Sequence, residues 1–157
     1  MLGLSLFTAS HIVISLVGIV AGFVAIQGMI AGRRTPRWTI LFLAFTLATT
    51  LTGFLFPHHG VTPAITLGLI SLAVAVPTLA ARYAFDMRGA WRTVWVVGAV
   101  LLQYFNCFVL VAQLFAKVPA LHALAPTGNE PPFAAAQGVL LLALLAACVL
   151  AVRRFRP

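Results

Sequence analysis

The side chains able to do chemistry in this sequence are few, and most of them are imidazoles. Four histidines, His11, His58, His59 and His122, stand beside only two acids, Asp86 and Glu130, and two cysteines, Cys107 and Cys148. A neutral imidazole offers a nitrogen lone pair to zinc or copper, and a pair of them can be the axial ligands of a haem b. No H-E-x-x-H, C-x-x-C or C-x-x-C-H spacing selects among these. The adjacent His58 and His59 also read as a solvated turn. Ser10 and His11 are helix neighbours pointing about 100° apart, so they form no catalytic dyad. With no G-x-S-x-G, no glycine-rich phosphate loop and no pair of neighbouring carboxylates, the histidines point to ligand binding rather than to turnover.

A second polar set runs along one stretch of chain. Arg92, Gln103, Asn106, Gln113 and Lys117 fall within an arc of about 80° when plotted at about 100° per residue. Such a stripe is costly against hydrocarbon, so it is expected to face the bundle interior, a water-filled crevice or a second protomer. Interhelical hydrogen bonding is one reading of it; a ligand or solvent pathway is the other.

Membrane-spanning helices must position these groups. Of 157 residues, 62% are hydrophobic and 8% charged, whereas a soluble domain carries roughly 25% charged residues. Ten basic and two acidic residues cannot coat a soluble core, which excludes soluble enzymes and nucleic-acid binders. Five apolar runs, 6–30, 38–56, 63–83, 91–116 and 133–152, are each long enough to cross a bilayer at about 20 residues per crossing. The expected fold is an all-α membrane protein, a single domain built as a five-transmembrane-helix bundle, with the longer segment 117–132 as an outer loop. The first run lacks a basic leader and exceeds a signal peptide's apolar core, so it is expected to stay in the bundle.

Lysine and arginine alternate between the breaks. Arg33, Arg34 and Arg37 occupy the first, Arg82, Arg88 and Arg92 flank the third, and Arg153, Arg154 and Arg156 follow the last run, leaving only Lys117 on the other side. Because cytoplasmic loops retain positive charge, this places the N-terminus out and the C-terminus in, with Trp38, Tyr83 and Trp91 at the inner interface. All four histidines and Glu130 then belong to the outer half or outer loops. His11 lies about 10 Å along its helix from the outer end, and a hairpin of spans one and two makes His58 or His59 its nearest companion. The outer segment, KVPALHALAPTGNEPPF, is expected to cover the bundle as a lid that carries His122 and Glu130 over the histidines below.

Other features concern packing. Gly18 and Gly22 share a stripe with His11 and Ser15 and form a small-xxx-small seam. Thr46, Thr49, Thr50 and Thr52 can bond back to their own helix. Thr62 before Pro63 is a cap followed by proline at the first helical position, and Pro77 should kink span three. Cys107 and Cys148 lie at different depths and should not pair. The absence of an acid within any span argues against a proton-coupled pump.

The run from Gln103, Tyr104, Asn106, Phe108 and Gln113 through Lys117-Val118-Pro119 to Ala125-Pro126-Thr127 and Glu130-Pro131-Pro132 resembles a family of small multi-pass bacterial inner-membrane proteins of unknown function. The likeness extends over most of the chain. It implies a bacterial inner-membrane location and supplies no activity and no site residues.

The functional expectation from the residues is a periplasm-facing site, formed by His11, His58, His59, His122 and Glu130, that binds a metal, haem b or a quinone-like ligand as an accessory to a redox system. His11, Gln103, Asn106, Gln113 and Lys117 would be the ligand-binding residues. The alternatives are a small oligomeric transporter or channel using the span-four stripe, and a structural or assembly subunit. The lipid bilayer is the first partner, a homo-oligomer or larger membrane complex the next, and nucleic acid is none.

Overall fold

The computed structural model describes residues 2–57, 60 and 62–156. Among the described residues six α-helices follow one another: α1 Leu2–Ile30, α2 Pro36–Gly53, α3 Pro63–Leu79, α4 Ala90–Lys117, the single turn α5 Pro119–His122, and α6 Pro131–Arg154. No strand occurs among the described residues.

Local chemistry sets the helix ends. At the end of α1, Gly32 adopts φ +68°, its N–H bonding to Met29 O at 3.0 Å while the Arg33 N–H reaches Gly28 O at 2.8 Å. This is a Schellman closure, and its left-handed residue is one that only glycine adopts without strain. Pro36 opens α2, where its missing N–H costs nothing. The Thr62 hydroxyl accepts from the Ile65 N–H at 3.3 Å and Pro63 follows it, as the sequence led us to expect. α3 runs on through Pro77 and then widens into a π-helical turn, Ala80–Ala84, closed by the Phe85 N–H on Ala80 O at 3.0 Å. Asp86, Met87 and Gly89, at φ 45°, 56° and 55°, reverse the chain into α4.

Four of these helices are long and apolar enough to cross a membrane: Leu6–Ile30 of α1, Pro63–Ala84, α4 and α6. The architecture is thus that of a helical membrane protein. α2 has 18 residues, carries Arg37 and the threonine cluster, and is less apolar, yet it packs along α1 as an antiparallel partner. α4 lies at the centre of the remainder, against α3, α6 and α1. α3 and α6 bury only 22% and 17% of their most apolar windows, so most of their surface is free to meet hydrocarbon.

This antiparallel order gathers all nine arginines at one end of the bundle. A Cβ on Gly32 would lie 3.4 Å from Arg154 O, and Arg92 Nη1 donates to Val152 O at 2.8 Å and Phe155 O at 2.6 Å, capping the free carbonyls of α6. The main core sits toward the same end, around Phe42, Trp95, Leu102, Met87 and Phe155. The Arg82 guanidinium lies over the Trp95 ring at 4.8 Å, and Phe85 stacks on Trp91 at 4.0 Å. Lys117, His11, His122 and Glu130 belong to the opposite end. Cys107 and Cys148 are both free.

Candidate functional site

The polar stripe of α4 begins as a helix-to-helix contact. Gln103 is completely buried; its Nε2 donates to the Ile19 carbonyl of α1 at 2.9 Å and to Cys107 Sγ at 3.5 Å. Its Oε1 has no hydrogen-bond partner and rests against Gly22, where any Cβ would collide with the Gln103 amide and with the Phe42 ring at 2.8 Å. Gly18 fits less tightly, a Cβ there lying 3.3 Å from Phe45 and 3.5 Å from the Thr46 backbone. The glycine seam on α1 therefore receives α2 at Gly18 and both α2 and α4 at Gly22.

One turn further along α4, Asn106 Nδ2 donates to Thr46 Oγ1 at 2.8 Å. Thr46 is buried, and the Thr50 hydroxyl bonds back to Thr46 O at 2.9 Å. Replacing Asn106 with leucine removes this bond and leaves Thr46 facing an apolar side chain. The expected loss is about 0.6 to 2 kcal/mol, the range of an interhelical hydrogen bond in a membrane, read as a lowered midpoint in thermal or denaturant unfolding in detergent. An unchanged midpoint would show the bond to be replaceable.

Beyond Asn106 the stripe leaves the interior of the single chain. Gln113 and Lys117 are both exposed. The reason is length: α2 ends at Gly53, seven residues past Thr46, and Gln113 lies seven residues past Asn106, so the helix that covers Asn106 stops at that level.

His11 sits on the flank of the α1–α2 hairpin. Its Nδ1 lies 2.8 Å from Thr52 Oγ1, and its ring stands edge-on to Phe56 with centroids 5.0 Å apart. The Thr52 hydroxyl is 2.7 Å from Ala48 O and 3.2 Å from Thr49 O, so its single proton is directed back into its own helix. The oxygen is left to accept, which assigns the proton of His11 to Nδ1 and leaves a lone pair on Nε2. His58 and His59 lie outside the described residues, two and three positions beyond Phe56.

His122, at the end of α5, is exposed. Glu130 is committed to its own turn: Oε1 accepts from the Thr127 N–H at 3.0 Å and hydroxyl at 2.9 Å, and Oε2 from the Asn129 N–H at 3.0 Å. Desolvation acts to raise its pKa, but these hydrogen bonds outweigh it and hold the carboxyl below the usual glutamate value. Among the described residues, no three His, Cys, Asp or Glu side chains come together in a group able to hold a metal ion.

Two polar residues outside the sequence reading also join helices. Gln137 of α6 is buried and donates from Nε2 to Phe108 O at 3.1 Å. As the lone amide in an apolar run it carried the same signal as Gln103. Thr78 is fully buried with its hydroxyl nested against Gly98, at the closest approach of α3 to α4. Comparison with family models, curated proteins and solved structures finds no match to this chain.

Proposed function

We propose that the chain is a five-span protein of the bacterial inner membrane, N-terminus outside and C-terminus inside, whose outer end binds a transition metal or haem through His11, with His58 or His59 as the second imidazole. α2 becomes the fifth span because it lies antiparallel along α1, and 18 residues extend about 27 Å, close to the roughly 30 Å of a hydrocarbon core. The arginines gathered at one end support a cytoplasmic assignment for that end.

The observation that carries the ligand reading is the polarity of the His11 ring. Its Nδ1–H is fixed by Thr52 and its Nε2 lone pair has no partner among the described residues. An imidazole oriented through one nitrogen with the other left open is the arrangement that metal-ligating histidines use. The same lone pair would accept a hydrogen bond from a quinol hydroxyl. The closed contacts of Gln103 and Asn106 favour this reading over a solvent path through a single copy of the chain.

The test is binding by purified protein in detergent, with zinc, copper and hemin as the probes, followed by elemental analysis and visible absorbance. Wild type should take up one of the three, and His11→Ala should lose it while unfolding at an unchanged temperature. Thr52→Val should bind more weakly by about 10- to 100-fold, the usual effect of removing an orienting partner. Equal uptake by His11→Ala and wild type, or uptake of none of the three probes by wild type, would overturn the reading.

A further inference from the structure

The turn joining α3 to α4 closes the arginine end of a groove that those two helices form on the outside of the bundle. The groove has a volume of about 540 Å³ and apolar walls, chiefly Ile70, Val74 and Pro77 on α3 and Val94, Val97 and Leu101 on α4. It arises because the helices touch closely where Thr78 nests into Gly98, while Pro77 and the small Ala73 leave the outer side unfilled. From Val94 to Leu101 it extends about 10 Å along the helix, from near the membrane surface toward the middle of the hydrocarbon. Its shape and lining suit one acyl chain.

What lies at this end is cationic. The turn and its flanks carry Arg82, Arg88 and Arg92 against the single acid Asp86, and among the described residues none of these arginines is ion-paired. Arg92 is occupied by the carbonyls of α6. Arg82 is held over Trp95, its Nε buried without a partner and its Nη1 on nothing better than Met87 Sδ at 3.8 Å. Arg88 is exposed, between Met87 and Gly89 in the turn itself. Tyr83 and Phe85 are also exposed there, with Phe85 stacked on Trp91, which sets this level as the headgroup layer. An acyl-sized groove ending under unpaired arginines at headgroup depth is complementary to one chemical class.

We propose that the α3–α4 groove holds an acyl chain of an anionic phospholipid whose phosphate pairs with Arg88 in the field of Arg82. The site rests on the membrane-spanning helices and is independent of the His11 reading.

Full-length protein is taken from vesicles of equal parts phosphatidylglycerol and phosphatidylcholine, and the lipids it retains are identified by native mass spectrometry. Wild type should keep phosphatidylglycerol over phosphatidylcholine by about five-fold, the preference expected of one arginine at a headgroup. Arg88→Gln should bring the ratio close to one, and Arg88→Lys should restore most of it. Thr93→Trp, which fills the groove from an exposed position on its wall, should release the bound lipid while the helical content and unfolding temperature stay as in wild type. Equal retention of the two lipids by wild type, an unchanged preference in Arg88→Gln, or a second copy of the chain retained in place of lipid would overturn the proposal. Unaltered retention in a folded Thr93→Trp protein would do the same.

Discussion

Gly22→Ala is expected to destabilise the bundle by about 2 to 3 kcal/mol, toward the upper end of the cost of overpacking. The added methyl has nowhere to go. It meets the amide of Gln103, a side chain with no exposed surface, and the Phe42 ring at 2.8 Å. Gln103 cannot withdraw without breaking its 2.9 Å bond to Ile19 O, and Phe42 is fully buried. The same substitution at Gly138 of α6 provides the contrast, because no atom lies within 4 Å of a Cβ there. It should be neutral or stabilising by up to about 1 kcal/mol through the lower entropy of alanine in the unfolded chain. Unfolding midpoints of the two variants, measured side by side in one detergent, check both signs; equal midpoints would mean that the seam is not close-packed.

The largest single loss is expected from Trp95→Ala, at about 3 to 5 kcal/mol. Trp95 has no exposed surface and stands in the main core with Phe42, Met87 and Phe155. Its removal opens a cavity and also takes away the ring under the Arg82 guanidinium at 4.8 Å. A half-buried cation would then lose the closer of its two aromatic contacts, the Tyr83 ring at 5.7 Å remaining, at about 1 to 2 kcal/mol of the total. Trp95→Phe separates these contributions from the indole N–H, which is buried without an acceptor. Phenylalanine keeps a ring in the cavity and removes the unsatisfied donor, so its loss should be well under half that of alanine. A phenylalanine variant as unstable as the alanine one would show that the indole N–H has a partner.

The helices were legible in composition because runs of apolar residues broken by Arg, Pro and Gly leave little choice at this length. The Thr62-Pro63 start, the Gly18-Gly22 seam and the inward placement of Gln103 and Asn106 followed from local chemistry and helical spacing. What faces what did not. Gln103 binds a backbone carbonyl at Ile19, which no side-chain pattern announces, and the depth at which α2 stops covering α4 decides that Gln113 is exposed while Asn106 is bonded. A helical wheel gives angle and not the length of the neighbouring helix. Glu130 belongs to the outer cluster by its side of the membrane, while its spacing of three from Thr127 is the reach of a carboxylate to its own turn. His11 was legible in depth, but its tautomer depends on a hydroxyl contributed by the next helix.

The proposed alternation of the loops across five spans underlies the His11 site, and a series of fusions tests it most directly. Alkaline phosphatase, active only outside the inner membrane, and green fluorescent protein, fluorescent only inside, are joined after Arg34, Gly60, Arg88, Gly128 and Arg156. Fluorescence is expected at Arg34, Arg88 and Arg156 and phosphatase activity at Gly60 and Gly128. The same signal at Arg34 and Gly60 would mean that α2 does not cross, and phosphatase activity at Arg156 would place the arginine end outside; either result contradicts the account.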